Sequence, residues 1–279
     1  MIETNDYWIL DNKLIFKPKF NESIEKYYDL ISNYDTLIFS NYNDVNICIE
    51  TNNKYEYNYR YKYNKSEFNK KVELPINITH LTFGWCFNQK VELPINITHL
   101  TFGYDFNQKL KLPINITHLN FGYYFNQKVE LPINITHLTF GWCFNQEINL
   151  HENLTHLTFG YDFNQKINIP LKVKYLNLNC NNLSIIDNLP NSIEGLELGY
   201  NFDLELNNLP NSIKLIKFNK ESNYNKELNN LPNSLIYLEL PKKYLLKIKN
   251  ILKGLKIIKV SKDYKFINDL VDIKIEYYE

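Results

Sequence analysis

The sequence has no excess of charge of either sign, because Lys and Arg together number 31 and so do Asp and Glu. A balanced chain has no overall field that would attract nucleic acid or an anionic membrane. It also lacks any run of about 18 apolar residues, the length that a membrane-spanning helix needs. The N-terminus does not resemble a secretory signal. We therefore expect an intracellular, cytoplasmic protein with no membrane partner, and nucleic acid is not an expected partner.

Cysteine and glycine are scarce, at four and eight residues. Cys86 and Cys143 occupy the same position of a sequence repeat three units apart, about 14 Å if adjacent strands lie about 4.8 Å apart. A disulfide needs Cα atoms within about 7 Å. We expect reduced thiols here and at Cys48 and Cys180. None of the glycines belongs to a Gly-rich phosphate-binding loop.

One repeated block dominates what is present. The block KVELPINITHLTFGWCFNQ occurs at residues 71–89 and again, letter for letter, at 128–146, with three near copies between and after. A fixed period of this size is typical of a solenoid, in which each unit must stack on its neighbours to bury its apolar face. Such a chain offers a surface rather than a cleft.

Within each unit, apolar and polar residues alternate as in a half-buried strand. Leu81 and Phe83 flank Thr82, while Ile78 and Phe87 complete the apolar set. Nineteen residues leave no room for a long helix, so the return path should be extended or 3₁₀. The sequence predicts a repeat solenoid, a leucine-rich-repeat-like right-handed coil with a parallel β-sheet on one face and little helix.

The pattern continues less regularly towards the C-terminus, which makes about ten coils. Leu37 and Phe39 look like one further strand before the array. We predict an irregular N-terminal cap over residues 1–66, the solenoid over 67–241 and a C-terminal cap over 242–279, with a short helix near Tyr244–Leu252. Caps are expected because an end coil would otherwise expose its apolar edge.

Two motifs resemble those of known repeat families. The segment LPNSIEGLELGYN at residues 189–201 resembles the short, bacterial-type leucine-rich repeat. The units that contain Phe87-Asn88-Gln89 resemble the FNIP repeat family of amoebae and giant DNA viruses. Their Phe-Asn pair recurs six times at nineteen-residue spacing, from Phe68 to Phe163, and the resemblance covers roughly residues 67–240.

The resemblance implies a leucine-rich-repeat-like module for protein–protein interaction, located in the host cytoplasm if the chain is viral. In the FNIP family the repeats sometimes follow an F-box, which would imply a substrate-recognition subunit of a ubiquitin ligase. Residues 1–66 show no clear F-box. The function that we expect is therefore a non-enzymatic scaffold that binds an unknown protein partner on its strand face. The ligase subunit is one alternative, and a nucleic-acid-binding repeat protein is another.

The expected strand face carries three sets of outward residues, since the apolar residues between them face inward. Their uncharged, hydrogen-bonding and aromatic composition is typical of a protein-binding surface. The histidine column is His80, His99, His118, His137 and His156. The threonine row is Thr82, Thr101, Asn120, Thr139 and Thr158, and the aromatic column is Trp85, Tyr104, Tyr123, Trp142 and Tyr161.

These columns also have a simpler interpretation. Recently duplicated repeats carry identical residues everywhere, so identical columns need not reflect selection for binding. Stacked aromatic residues and threonine ladders also stabilise the sheet itself. Carbohydrate binding by the aromatic column is a further alternative. The alternating tyrosines of Tyr55–Tyr63 are an aromatic-faced cap strand, a mobile insertion or a base-stacking segment. The lysines of 242–274 are either a solvated face or an anion-binding one.

No catalytic or metal-binding arrangement stands out. A straight histidine ladder offers two neighbouring ligands at best, whereas zinc normally takes three or four. Asp105 and Asp162 share a repeat position three coils apart, about 14 Å, which exceeds the roughly 5–9.5 Å of paired glycosidase carboxylates. We expect no enzyme, cofactor, metal or small-molecule substrate.

Overall fold

A computed structural model describes residues 1–44, 65–249 and 253–278. Cys48 and the Tyr55–Tyr63 segment lie outside these described residues. The chain divides into two compact units, Met1–Phe144 and Asn145–Glu279. Within the described ranges, none of the helices is both long enough and apolar enough to cross a membrane.

The first unit begins with an antiparallel meander. Strands β1 (Ile2–Glu3), β2 (Tyr7–Leu10) and β3 (Lys13–Phe16) pair in that order. Between β2 and β3, Asp11 turns the chain with a φ of 51°, a left-handed conformation that Asp tolerates better than most residues do.

The rest of the first unit is a parallel ladder. After a 3₁₀ turn at Glu25–Tyr27 and the short helix α1 (Tyr28–Ile31), each strand pairs with the one before it. The pairing is in register, so that equivalent residues of successive repeats lie side by side. The strands are β4 (Thr36–Phe39), β5 (His80–Thr82), β6 (His99–Thr101), β7 (His118–Asn120) and β8 (His137–Thr139).

The second unit continues the same pattern. Its strands also pair in parallel and in register, with the short helix α2 (Leu183–Ile186) after β10 and a 3₁₀ turn at Ile267–Asp269. The strands are β9 (His156–Phe159), β10 (Tyr175–Leu178), β11 (Gly195–Leu198), β12 (Leu215–Phe218), β13 (Tyr237–Glu239), β14 (Ile257–Val260) and β15 (Lys274–Tyr277).

Two phenylalanine columns fill the core of the regular coils. Within one coil the ring centroids of Phe83 and Phe87 lie 3.7 Å apart. Between coils, Phe83 stacks on Phe102 at 5.6 Å and Phe87 on Phe106 at 6.1 Å. All four side chains are at most 1% exposed. Each coil therefore buries its apolar residues against the next one, as the solenoid principle requires.

Amide side chains tie successive turns together on the return path. The backbone N–H of Asn88 and the Nε2 of Gln89 each donate to the Oδ1 of Asn69 at 3.0 Å. The same two bonds recur one coil later, from Asn107 and Gln108 to Asn88. The Phe-Asn-Gln motif thus has a structural role: its phenylalanine enters the core, and its amides form hydrogen bonds between successive turns.

The predicted fold class is confirmed, with parallel strands on one face and little helix. The parallel pairing extends beyond the predicted coils, to β3 at one end and β15 at the other. The boundaries at residues 66/67 and 241/242 stay a prediction.

The predicted helix near Tyr244–Leu252 is wrong for its described part. Residues 244–249 form bends and irregular backbone, and 250–252 lie outside the described residues. Tyr244 and Ile248 are buried, and the Tyr244 hydroxyl donates to the carbonyl of Lys226 at 3.0 Å. This segment is therefore the return path of another coil, because contacts with the preceding coil outweigh its local helix propensity.

Candidate functional site

The outer face of the first unit is set by its three-residue strands. In β5 to β8 the middle leucine is at most 2% exposed. Successive side chains of a strand alternate between faces, so the residues on either side of each leucine point outward. The histidine column from His80 to His137 and the threonine row from Thr82 to Thr139 lie on this face, while His156 and Tyr161 belong to the second unit.

The histidines of the first unit form a stack. Ring centroids are 4.2 Å apart for His80 and His99, and 4.1 Å apart for the pairs His99–His118 and His118–His137, with 13° between planes throughout. Each inner ring therefore has both faces covered and only its edge towards solvent. In the second unit, His156 stacks on Tyr175 at 4.7 Å.

A threonine before each histidine fixes the orientation of the ring. The Oγ1 of Thr98 lies 2.9 Å from Nδ1 of His99 and 3.2 Å from the carbonyl oxygen of Thr79. A hydroxyl has one proton and a carbonyl only accepts. The hydroxyl thus donates to Thr79, and the Nδ1–H of His99 donates to the hydroxyl. This network assigns Nε2 as the acceptor nitrogen of the neutral ring.

The histidine column favours the neutral state. Burial lowers the pKa of His80, His99 and His156, because a charged ring would lose hydration. The charge of His80 lowers the pKa of His99 further. Asp35 opposes the effect of burial on the pKa of His80 without reversing it.

Stacked imidazoles are poorly arranged for metal binding. In parallel rings the nitrogen lone pairs point in one direction, whereas zinc requires three or four ligands that converge on a point. Over the parts of the chain that the structure describes, no group of three or more His, Cys, Asp or Glu side chains is placed to hold a metal ion. Cys86 and Cys180 are free thiols, and burial raises the pKa of Cys180 to about 11.

The aromatic column of the first unit is also stacked face to face. Centroids lie 4.0 Å apart for Trp85 and Tyr104, 4.5 Å for Tyr104 and Tyr123, and 5.5 Å for Tyr123 and Trp142. The Nζ of Lys65 lies 4.7 Å from the centroid of Trp85. Because the ring faces are covered, the column presents ring edges, which suit neither sugar rings nor nucleic-acid bases that stack on open faces.

Sequence reasoning missed one aromatic residue of this face, Tyr124. Its ring centroid lies 5.0 Å from those of both Tyr104 and Tyr123, with interplanar angles of 83° and 80°, and its side chain is 47% exposed. From Cys86 to Asn181, only this coil has tyrosine at a repeat position otherwise filled by Cys, Asp or Asn. This departure from the repeat is the feature of the sequence from which Tyr124 could have been recognised.

The strand face of the second unit differs in chemistry. Glu197 pairs with Lys217 at 3.6 Å, and Lys259 pairs with Glu239 at 3.3 Å. The Glu197–Lys217 pair is exposed, and such a pair contributes little to stability. The position of the histidine column is here filled mainly by aromatic and aliphatic residues. They are Tyr175, Leu215, Tyr237 and Ile257, with Gly195 between the first two.

The repeat geometry agrees with the match of the chain to a family model. The model of the FNIP Repeat matches residues 68–105, 87–124, 106–141, 125–151, 144–181, 181–221 and 200–243. The chain belongs to the FNIP repeat family. Its FNIP repeats form leucine-rich-repeat-like coils, a fold that generally serves protein interaction and is typically non-enzymatic.

Among solved structures, the FNIP chain is similar to CroV588, a giant-virus protein described as having a circular leucine-rich-repeat structure. The identity is 27% and the TM-score 0.55, and the match covers 98% of this chain and 54% of CroV588. The chain thus spans about half the length of that protein. A leucine-rich repeat protein from Bacteroides ovatus aligns over both full chains at 10% identity, with a TM-score of 0.30. No functionally curated protein matches the chain.

Proposed function

We propose that this FNIP-repeat protein is a non-enzymatic scaffold that binds a protein partner on the strand face of its first unit, residues 80–142. The observation that carries the proposal is the preorganised stack. Identical side chains in successive coils hold one another in place, as the 4.1–4.2 Å histidine spacings illustrate. A partner that docks on such a face has few side chains to order, which lowers the entropic cost of association.

The composition of the strand face favours a protein as the binding partner over a charged polymer such as nucleic acid. Its rows contain imidazole, hydroxyl, amide and aromatic groups, such as Asn120, whose Nδ2 donates to Oγ1 of Thr101 at 3.3 Å. Aromatic residues are enriched at protein interfaces, and charged residues are depleted at interface centres. Nucleic acid would call for a basic surface, which this face does not provide.

The test is affinity capture from the native host cell, followed by titration of the captured partner against surface variants. Thr101→Arg places a long charged side chain on the centre of the face, where Thr101 is half-buried. We expect it to weaken binding by at least ten-fold, since a buried unpaired charge at an interface is costly. The melting temperature should change little.

The matched control is Ile114→Arg, because Ile114 lies on a turn away from the strand face and is 50% exposed. It should bind the partner like the parent chain. Equal affinity for Thr101→Arg and the parent would contradict docking on this face.

No observation specifically favours the ligase-subunit alternative. In the described part of residues 1–66, the helical structure consists of the 3₁₀ turn Glu25–Tyr27 and the four-residue helix α1. An adaptor-binding F-box would need three packed helices. Capture of a cullin scaffold with the chain would be the result that revives this function.

A further inference from the structure

We propose that Tyr124 and Asp105 form a receptor for an arginine side chain of the protein partner. The inference rests on the proposed protein-binding function and names the chemistry that one part of the face recognises. It rests on two observations, an aromatic ring with an open face and a carboxylate that makes no hydrogen bond or ion pair within the described part of the chain.

The open face of Tyr124 follows from the geometry of its neighbours. Tyr104 and Tyr123 stack on each other and on the flanking tryptophans, so both faces of each ring are occupied. Tyr124 is nearly perpendicular to both at 5.0 Å, which is an edge-to-face distance and is too short for two ring edges to meet. The edges of Tyr104 and Tyr123 therefore point at one face of Tyr124. With the side chain 47% exposed, the opposite face is open to solvent.

Asp105 precedes Tyr124 by one repeat of nineteen residues and belongs to the neighbouring coil. The backbone N–H of Tyr124 donates to the carbonyl of Tyr104, the residue before Asp105, at 3.0 Å. The two residues thus occupy the same repeat position in adjacent coils, about 4.8 Å apart by strand spacing. Because Tyr124 is equidistant from Tyr104 and Tyr123, its ring leans back towards the coil that carries Asp105.

The carboxylate of Asp105 is half-buried and has no hydrogen-bond donor or ion-pair partner among the described residues. Burial raises its pKa, and the positive charge of Lys65 opposes this. Lys65 itself lies over the ring of Trp85. A partly desolvated carboxylate without a partner gains more from an incoming cation than a solvated one does.

Arginine is the side chain that satisfies both groups together. Its planar guanidinium stacks on an aromatic face and donates two parallel hydrogen bonds to a carboxylate. A lysine ammonium is a point charge that stacks less well, and a neutral sugar can donate hydroxyl hydrogen bonds to the carboxylate but brings no positive charge to pair with it. The single arginine of the sequence, Arg60, lies outside the described residues, and the guanidinium of this proposal belongs to the partner.

The experiment titrates the full chain with N-acetyl-arginine N-methylamide, followed by ligand-detected NMR. Its lysine and citrulline counterparts and methyl glucoside serve as comparison probes. We expect a dissociation constant of the order of 1 mM for the arginine probe, about −4 kcal/mol. The citrulline probe, which keeps the shape without the charge, should bind at least ten-fold more weakly. Binding should also weaken at acidic pH, as Asp105 becomes protonated.

Variants separate the two groups. Tyr124→Ala and Asp105→Asn should each weaken the arginine probe about ten-fold, while Tyr124→Phe, which keeps the ring face, should bind like the parent. The matched control is Asp162→Asn: the same Tyr-Asp-Phe sequence recurs there, but Asn181 takes the place of tyrosine in the next coil. This variant should leave the titration unchanged.

Equal binding of the arginine, citrulline and glucoside probes would overturn the proposal, as would unchanged arginine binding by Asp105→Asn. Failure of the arginine receptor can be distinguished from failure of the proposed scaffold function. A captured partner that depends on Thr101 but binds Tyr124→Ala like the parent leaves the scaffold function standing and removes the arginine receptor.

Discussion

Like side chains meet in this protein because parallel, in-register strands place equivalent atoms about 4.8 Å apart. Planar rings at that spacing stack, as the 4.2 Å separation of His80 and His99 and the 4.0 Å separation of Trp85 and Tyr104 show. For neutral rings the contact is favourable. For histidine it becomes unfavourable on protonation, since like charges then lie within van der Waals distance.

The first prediction concerns acid stability. Folding lowers the pKa of His80 and His99, so the unfolded chain, with a histidine pKa of about 6.5, binds protons more readily. The stability contributed by these neutral histidines is therefore fully present above about pH 6.5. It is lost as the pH drops towards their lowered pKa values in the folded state. The double variant His80→Gln, His99→Gln should lose less stability between pH 7 and pH 5 in urea melts.

The matched control for this experiment is His151→Gln, because His151 lies on a turn outside the histidine column. It should show the pH dependence of the parent chain. If the double variant and the parent lose the same free energy of unfolding between pH 7 and pH 5, the column does not sense protons.

The second prediction concerns the phenylalanine core. Phe121 is 1% exposed and stacks on Phe125 at 3.7 Å. Phe121→Ala should lower the free energy of unfolding by about 3–5 kcal/mol, through lost burial and the cavity left behind. Tyr124→Ala in the same coil is the control and should cost far less, since Tyr124 is 47% exposed. Similar losses in chemical denaturation would contradict this assignment of core and surface.

At the scale of the coil, glycine sets how closely successive turns approach. A Cβ on Gly122 would lie 1.8 Å from the carbonyl oxygen of Gly103, and one on Gly103 would lie 1.9 Å from that of Gly84. No glycine in the described residues has a positive φ. The requirement is therefore for space beside the neighbouring backbone and not for an unusual conformation.

The third prediction follows from this close approach. Gly122→Ala should destabilise the chain by roughly 1–3 kcal/mol, because the extra methyl forces two coils apart at a rigid backbone contact. Gly254→Ala is the comparison. A Cβ on Gly254 would lie 2.9 Å from its nearest neighbour, the carbonyl oxygen of Asn233. It should cost clearly less. A denaturation midpoint that moves equally in both variants would argue against the spacing role of Gly122.

Much of the coil could be predicted from the sequence, because the nineteen-residue period and the alternation around Leu81 depend on local pattern alone. The bonds from Asn88 and Gln89 to Asn69 could not, since they join residues one period apart through side-chain geometry. The orientation of the Tyr124 ring towards the preceding coil could not be predicted for the same reason. The helix predicted near Tyr244 failed because burial against the preceding coil decides that segment.

At the scale of the whole molecule, the repeats predict modular behaviour. Each coil contacts its sequence neighbours, so stability is approximately a sum of coil and interface contributions. Residues 71–89 and 128–146 are identical, and in the structure Leu81 and Leu138 hold the same place in β5 and β8, each at 2% exposure. Removal of whole periods between them should preserve every type of interface.

The fourth prediction is that deletion of residues 71–127 leaves a shorter folded solenoid. Lys70 would then be followed by Lys128, which begins the same nineteen residues that Lys71 begins, so β8 would pair with β4 in the register that β5 now has. Circular dichroism should show strand structure with a cooperative melt at a lower temperature, because fewer interfaces remain. The deletion also removes Asp105 and Tyr124, so the arginine probe should no longer bind to a chain that is still folded. An unfolded product would show that the coils do not act as interchangeable units. The control is a deletion of residues 71–117, which does not remove a whole number of repeats. It should break the strand register and misfold.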